Sequence, residues 1–308
     1  MNKYTKIVDK TAVLLLNWNG YNDTIKCLES LVNSNCFINE ENVYVIDNNS
    51  QIDPTKDILD KFKYVNVLRT SKNLGYAGGN NYGLKVIIKK EYEYILILNN
   101  DTEVEKEFIF PMIDSLLNNA DVGIIVPKVK MFFYPDRLYH AGGYISRISG
   151  TGKLIGFMEK DGLEYSELKR ITFANGCCML IRKEVINKIG LLDEYFFSYG
   201  EDADYSIRAL KAGINIIYNP NAIIYHKVNI EEGKRESTYY LYYLYRSYGI
   251  LLRKQLKKKI KISSLIYFIV YLPYSVLKRI IRGNYSGAIT IIKGYLNINN
   301  VKIKDTLN

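Results

Sequence analysis

The most informative run in the chain is an apolar strand that stops on a carboxylate. Residues 94–98 read Tyr-Ile-Leu-Ile-Leu and are followed at once by Asn99, Asn100 and Asp101. In open α/β sheets ligands bind beyond the carboxyl ends of the strands, so Asp101 is positioned to hold a hard divalent cation together with a phosphate. The plainer interpretation is a strand followed by a turn, because Asn and Asp are good turn residues.

A second cluster places three carboxylates within four residues, at Glu201, Asp202 and Asp204. The helix dipole favours acidic residues in a first turn, so the start of a helix explains part of this pattern. Three carboxylates exceed what a helix start needs. Repulsion among them would raise the pKa of at least one towards a value useful in a general base.

Polar residues also follow two other predicted strands, and a Gly-rich loop opens a predicted helix. Asn17 and Asn19 follow the strand at 11–16, and Asp47 follows the strand at 42–46. Asp47 could accept a hydrogen bond from the imide N–H of uracil or thymine. The loop at 73–81 could turn free backbone N–H groups towards a pyrophosphate. Each motif alone also fits ordinary turn chemistry.

Strands and helices are predicted to alternate along the first hundred residues. The predicted strands are 11–16, 42–46, 65–69 and 92–98, and the predicted helices are 22–33, 58–62 and 79–90. This alternation indicates a parallel sheet with helices on both faces, as in nucleotide-binding domains.

Beyond Asp101 the order is less regular. The sequence predicts helices at 107–118, 183–189 and 202–212, strands at 123–130 and 177–182, and one or two strands over 214–225 that lead to His226. A Gly-rich stretch at 141–156 fits either a mobile loop or a hairpin.

The positive charge of the chain belongs to its tail. Of 308 residues, 1–226 contain 26 Lys and Arg against 28 Asp and Glu, whereas 227–308 contain 16 against 4, which gives net charges of −2 and +12. A basic tail can bind nucleic acid or an anionic membrane. Its long aliphatic and Tyr runs favour the membrane, so no nucleic-acid partner is expected.

Two apolar segments of the tail, 239–256 and 263–277, flank a lysine cluster at 257–261. A membrane span needs about 20 apolar residues, and Pro273 interrupts the second segment. We expect a helix that lies in the headgroup region, with a helical hairpin packed on the core as the alternative; whether 263–277 spans the bilayer stays open.

The four cysteines and the N-terminus indicate the compartment. Cys27, Cys36, Cys177 and Cys178 lack the spacing of a metal site and read as small buried residues. Residues 1–10 are polar and charged, so no signal peptide is predicted. We expect a reduced, cytoplasmic catalytic part, peripheral on the inner face of the cell membrane.

Taken together, the motifs resemble those of family 2 inverting glycosyltransferases, and most of all the rhamnosyltransferase-like members that build bacterial surface polysaccharides. The resemblance covers about residues 11 to 250. It is carried, in order, by Asn17-Trp18-Asn19, Asp47-Asn48-Asn49-Ser50, the loop from Asn73 to Asn81, Leu98-Asn99-Asn100-Asp101, Gly200-Glu201-Asp202-Ala203-Asp204, and His226.

The resemblance implies a fold and a domain division. The fold is α/β of the GT-A type, a Rossmann-like and mostly parallel central sheet flanked by helices, with a C-terminal helical, membrane-associated region. Residues 1–237 would form the catalytic domain and 238–308 the basic, apolar tail.

The resemblance also implies site residues. Asp202 would be the general base, helped by Glu201 or Asp204. Asp101 and His226 would bind a divalent cation, Mn²⁺ or Mg²⁺; an imidazole ligand favours Mn²⁺. The implied donor-binding residues are Asn17, Asn19, Asp47, Asn49, Asn73, Gly75, Gly79, Asn80, Asn99, Asn100 and Asp101.

The expected reaction moves a sugar, such as rhamnose, from a dTDP- or UDP-linked donor to a hydroxyl of a lipid-linked or growing glycan. A non-catalytic scaffold that its tail recruits to the membrane is the alternative. A nucleotidyltransferase is disfavoured, because residues 17–20 lack the cations that such an enzyme needs after its first strand. The sequence leaves the acceptor, the linkage and the formation of homo-oligomers open.

Overall fold

The structure, a computed structural model, describes residues 3–36, 38–228, 237–256 and 262–297. A ten-stranded mixed sheet forms its centre, with the strand order β10-β12-β6-β11-β4-β1-β2-β3; β5 adds to β12, and β7 adds to β6. The strands are β1 Thr11–Asn17, β2 Val43–Asp47, β3 Asn66–Arg69, β4 Tyr94–Asn99, β5 Thr102–Val104, β6 Val122–Met131, β7 Leu138–His140, β8 Gly143–Ile145, β9 Gly152–Leu154, β10 Lys169–Ile171, β11 Cys178–Arg182 and β12 Asn215–His226.

The helices cover both faces of this sheet, as the alternating pattern predicted. They are α1 Lys3–Val8, α2 Tyr21–Val32, α3 Thr55–Lys61, α4 Gly75–Ile87, α5 Ile109–Asn118, α6 Lys183–Ile189, α7 Glu201–Lys211, α8 Thr238–Leu256, α9 Ile262–Ile281 and α10 Tyr285–Leu296. The α/β class and the central sheet with flanking helices are therefore confirmed.

Alternating side chains of the inner strands pack into two separate hydrophobic cores, one on each face of the sheet. In β1, Val13 and Leu15 pack with α2 and α5, whereas Ala12 and Leu14 pack on the opposite face with α4 and α6. Successive residues of a strand point to opposite faces, so an all-apolar strand implies a sheet covered on both sides.

The two halves of the sheet differ in strand direction. β3, β2, β1 and β4 run parallel to one another, whereas β11 is antiparallel to both β4 and β6. The predicted strands over 214–225 form the single strand β12, whose pairing shifts register between Asn219 and Ile223. The Gly-rich stretch contains a hairpin, β8 paired with β9.

The tail contains three helices within the described residues, and the first packs on the catalytic half. Arg246 of α8 donates to the carbonyl of Tyr195 at 2.6 Å, and Ile250 and Leu251 are buried against Phe196. Among the described residues, no helix combines the length and hydropathy that crossing a membrane requires. The lysine cluster at 257–261 lies outside the described residues, and the division at residue 237 stays a prediction.

Candidate active site

Asp101 and His226 meet at the carboxyl-end edge of the sheet. β5 follows Asp101 directly and pairs antiparallel with the end of β12, with Thr102 opposite His226. This register places His226 Nε2 3.1 Å from Asp101 Oδ1. The Asp101 side chain is 37% exposed, whereas that of His226 is buried. Two side chains that are 125 positions apart in the sequence are thus brought together.

The surroundings of His226 favour its protonated form. The Tyr139 ring packs edge-on against the imidazole, with the ring centroids 4.6 Å apart. Burial lowers the pKa of His226, but Cys177 and the Asp101 carboxylate outweigh burial and raise that pKa well above its usual range. A bound cation would take the place of the proton, because a ligand nitrogen must be deprotonated.

The same pair fits a divalent cation. Adjacent ligands in an octahedral shell with bonds of about 2.1 Å lie about 3.0 Å apart, close to the separation of the two donor atoms. Within the described residues, no group of three or more His, Cys, Asp or Glu side chains forms a closed metal site. The other ligands would be water and donor phosphate oxygens, the usual arrangement for Mg²⁺ at phosphate sites.

Asp202 lies in the first turn of α7, at a second wall of the site. Gly200, in the left-handed conformation at φ 91°, turns the chain into the helix. Asp202 Oδ2 accepts long hydrogen bonds, both at 3.3 Å, from the Gly176 amide and Asn175 Nδ2, while Oδ1 accepts from the Ala203 amide at 2.8 Å. Burial raises the pKa of Asp202 to about 6, against the lowering effect of these amides. A carboxylate with this pKa can act as a base near neutral pH.

The other two acidic residues of α7 have different environments. Glu201 is buried beside the cavity described below, and its Oε2 has no hydrogen-bond partner among the described residues. Burial, and next the Asp202 charge, raise the pKa of Glu201 well above its usual range. Asp204 is also buried, but Arg208 Nε and Lys254 Nζ contact it at 2.8 and 2.7 Å. Asp204 serves there as a structural anion.

Asp47 lies at the end of β2 in a buried hydrogen-bond network. Its Oδ1 accepts from Asn17 Nδ2 at 2.8 Å and from the Ser50 hydroxyl. Its Oδ2 accepts from the Ser50 amide at 3.2 Å and lies 2.9 Å from Arg69 Nη1. A carboxylate offers about four acceptor positions; three are filled here by hydrogen bonds, and the Arg69 ion pair lies against the carboxylate as well.

Asn100 ties the end of β4 into the same network. Its Nδ2 donates to Thr24 Oγ1 at 2.9 Å and to Asn17 Oδ1 at 3.3 Å. Asn19 and Asn49, both with positive φ, form the adjacent turns; Asn19 Oδ1 accepts from the backbone at 2.8 Å, and Asn49 is exposed. Four predicted donor residues, Asn17, Asp47, Asn19 and Asn100, are thus linked through one set of turns.

Most of the predicted Gly-rich loop forms the first turns of α4, which begins at Gly75 and not near residue 79, and this segment packs closely on its neighbours. The Gly75 amide, at φ +73°, donates to Asn73 Oδ1 at 2.8 Å, and a Cβ there would lie 2.2 Å from the Phe197 carbonyl oxygen. A Cβ at Gly79 would lie 2.5 Å from a β1 side chain, and Asn80 donates to a carbonyl one turn earlier. The glycines are therefore required by packing, and the predicted contact of this loop with a pyrophosphate stays a prediction.

A cavity of about 610 Å³ connects the two acidic walls. Its lining includes the five predicted site residues Asn99, Asp101, Glu201, Asp202 and His226. The network around Asp47 lies outside this lining. The opposite wall comes from α8, with Tyr239, Tyr240 and Tyr248, and from the β8–β9 hairpin.

Sequence reasoning missed several residues of this cavity. Tyr76 donates to the Gly176 carbonyl at 2.6 Å and so fixes the turn that contacts Asp202. Asn175 and Tyr139, next to Asp202 and His226, were not singled out either. The available indication for Asn175 was an Asn-Gly pair just before a strand. Tyr139 and the tyrosines of α8 stand out in the sequence only as aromatic residues, which does not indicate a place in the site.

Comparison with known proteins identifies the family. Residues 13–190 match the family described as Glycosyl transferase family 2. The low-salt glycan biosynthesis hexosyltransferase Agl10 of Haloferax volcanii is 27% identical over 78% of this chain and 75% of its own length. The dTDP-rhamnosyl transferase RfbF of Shigella flexneri is 25% identical over 76% of this chain and 78% of its own length.

Two solved structures share the fold. The mannosyltransferase PcManGT of Pyrobaculum calidifontis, in complex with GDP-Man and Mn²⁺, superposes with a TM-score of 0.56 over 96% of this chain and 88% of its own, at 13% identity. GalNAc-T7 with UDP, GalNAc and Mn²⁺ gives a TM-score of 0.59 at 17% identity, over 72% of this chain and 43% of its own. The matched family model covers more than half of the chain, so the protein belongs to glycosyl transferase family 2: it is a glycosyltransferase with the GT-A fold.

Proposed function

We propose that this glycosyltransferase is inverting and metal-assisted, and that it moves a sugar from a dTDP- or UDP-linked donor to a hydroxyl of a lipid-linked or growing glycan. The observation that carries the proposal is one cavity with two chemically different walls. Asp101 and His226 supply a cation-binding pair on one wall, and Asp202 supplies a carboxylate with a pKa of about 6 on the other.

Each wall has a distinct task in the proposed reaction. Asp101 and His226 would hold a divalent cation, whose charge would offset the negative charge that builds on the leaving diphosphate. Asp202 accepts the proton of the acceptor hydroxyl, and the hydroxyl oxygen attacks the anomeric carbon from the face opposite the diphosphate. A single direct displacement inverts that centre without a covalent intermediate.

The named relatives favour rhamnose and a lipid-linked acceptor. The Shigella flexneri relative is a dTDP-rhamnosyl transferase. A second relative, from Mycobacterium tuberculosis and 24% identical over 61% of this chain, is an N-acetylglucosaminyl-diphospho-decaprenol L-rhamnosyltransferase. We therefore take rhamnose carried by dTDP as the first donor to test.

Calorimetric titration with dTDP and with UDP, each with and without Mn²⁺, tests the donor site. We expect metal-dependent micromolar binding of one nucleotide. Asp101→Ala should abolish the metal-dependent part, because it removes the exposed ligand of the pair. Asp60→Ala is the matched control, since Asp60 is an exposed acid on α3 whose ion-pair partner among the described residues is Lys56.

The outcome separates the proposal from its alternative. Binding of one nucleotide that disappears in Asp101→Ala and persists in Asp60→Ala supports the donor site and identifies the carrier. Binding of neither nucleotide to the folded wild-type protein overturns the proposed dTDP- or UDP-linked donor, and the alternative is then a glycosyltransferase whose sugar has a different carrier.

A further inference from the structure

The last two helices that the structure describes, α9 and α10, each present an apolar stripe to solvent. In α9 the exposed apolar side chains recur at intervals of three and four residues, so they share one side of the helix. Six of them, 54% to 76% exposed, are Ile266, Ile269, Val270, Tyr274, Leu277 and Ile281. In α10 the same spacing relates Tyr285, Ile289, Ile292 and Leu296. Contiguous exposed apolar surface of this kind marks an interaction site.

The opposite side of α9 faces the protein. Phe268 and Ser275 are buried, and Tyr271 and Leu272 pack against the cluster that contains Leu241 of α8. α9 is therefore seated on the molecule by one face, and the exposed stripe is left over after that packing.

Charge around the stripe identifies its partner. Residues 262–297, which form α9 and α10, contain four Lys and Arg and no Asp or Glu. Lys278 and Arg282 are exposed on α9 and just beyond it, and Lys293 is exposed on α10. A second copy of this chain would bring like charges together across the stripe, whereas an anionic lipid surface complements both the apolar side chains and the cations around them.

We propose that the exposed stripes of α9 and α10 lie in the headgroup region of an anionic membrane, with the apolar side chains at the acyl boundary and the cations among the lipid phosphates. α8 connects this surface to the active site. One side of α8 lines the cavity through Tyr240 and Tyr248, and its backbone at Tyr242 packs closely on Gly294 of α10.

The consequence for the acceptor rests on the proposed function. A lipid-linked acceptor has its anchor in the same surface that α9 and α10 contact, so its glycan would reach the cavity along α8. Membrane docking then concentrates the enzyme where that acceptor is found, without any contribution from the donor site.

Vesicle co-sedimentation of the full chain, without nucleotide, tests the docking surface. We expect binding to vesicles of phosphatidylcholine and phosphatidylglycerol in equal parts, and weak binding to phosphatidylcholine alone. Ile269→Ser/Leu277→Ser should lower partitioning of the protein onto the vesicles about tenfold or more, since each substitution removes an apolar side chain that the lipid would bury. Lys278→Gln/Arg282→Gln should lower it about fivefold per charge, and only with the anionic lipid.

A control variant and a second measurement keep the test decisive. Leu163→Ser/Leu168→Ser removes two exposed leucines outside the tail, 89% and 50% exposed, and should bind as the wild type does. Nucleotide titration and thermal melting show whether each variant is folded, and Asp202→Asn should bind vesicles normally.

Two results would overturn the inference. One is equal binding of wild type and Ile269→Ser/Leu277→Ser to the anionic vesicles. The other is a wild-type dimer in light scattering that this double variant converts to monomer, which would assign the stripe to self-association. Neither result bears on the donor site, which is measured separately by titration.

Discussion

Asp47 and Asp202 are both aspartates of the predicted site, and the protein surrounds them in opposite ways. The two oxygens of Asp47 are buried and receive hydrogen bonds from Asn17 and Ser50 as well as the Arg69 ion pair. Asp202 has only 3.3 Å contacts at Oδ2 and a raised pKa. Hydrogen bonds together with an adjacent cation hold a backbone turn in place, whereas a carboxylate with two long hydrogen bonds and a raised pKa retains the affinity for a proton that a base requires.

This contrast predicts that one change, Asp to Asn, has different effects at the two positions. The largest effect should be on turnover in Asp202→Asn, which we expect to lower kcat about 10³-fold, because an amide cannot accept the acceptor proton. Donor binding should be unchanged. The measurement is the rate of sugar transfer alongside nucleotide titration.

The pH dependence of the wild type sharpens the same prediction. kcat should rise as pH increases through about 6, because only the deprotonated form of Asp202 acts as base. An Asp202→Asn protein that retained wild-type turnover would show that the base lies elsewhere.

At Asp47 the same change should act on folding. Asp47→Asn replaces an acceptor oxygen by a donor group beside Arg69 and the Ser50 amide, so we expect the free energy of unfolding to fall by about 2 kcal/mol. Denaturant titration measures this loss. Asp53→Asn is the control: Asp53 also contacts Arg69, at 3.3 Å, but its side chain is 56% exposed, so the loss should stay below about 1 kcal/mol. Equal losses in the two variants would contradict the structural role of Asp47.

The difference between these two aspartates also explains how far the sequence could predict the site. Strand ends are local features, so the placement of Asp47 and Asp101 at the sheet edge could be predicted from apolar runs that stop on polar residues. The partners of the Asp47 carboxylate could not be predicted in this way. Arg69 and Ser50 reach it only through the parallel register of β2 with β3 and the turn after β2.

Long-range packing likewise determines the roles of the three carboxylates Glu201, Asp202 and Asp204. Asp204 reads in the sequence as a possible helper of the base, yet Lys254, fifty residues later, pairs with it because α8 docks there. The short strand β5, which aligns Asp101 with His226, has too few residues to show a period. Contacts between distant segments leave no periodic pattern in a single chain.

The smallest predicted effect is on the free energy of unfolding of Asp202→Asn, which should increase. The corresponding change at Asp47 should lower that free energy, so this measurement separates the two aspartates most sharply. Folding raises the pKa of Asp202 from 3.8 to about 6, so the native state binds more protons than the unfolded state between these values. The stability contributed by this proton is fully present below pH 4 and is lost as pH rises through about 6.

Asn mimics the protonated form at every pH, so Asp202→Asn should be more stable than the wild type above pH 6, by roughly 1 kcal/mol because the side chain is partly exposed. Below pH 4 the two should unfold alike in denaturant titrations. A variant that is inactive and yet more stable would identify Asp202 as a residue kept for catalysis at the expense of stability, and a destabilised variant would place it with Asp47 among the structural carboxylates.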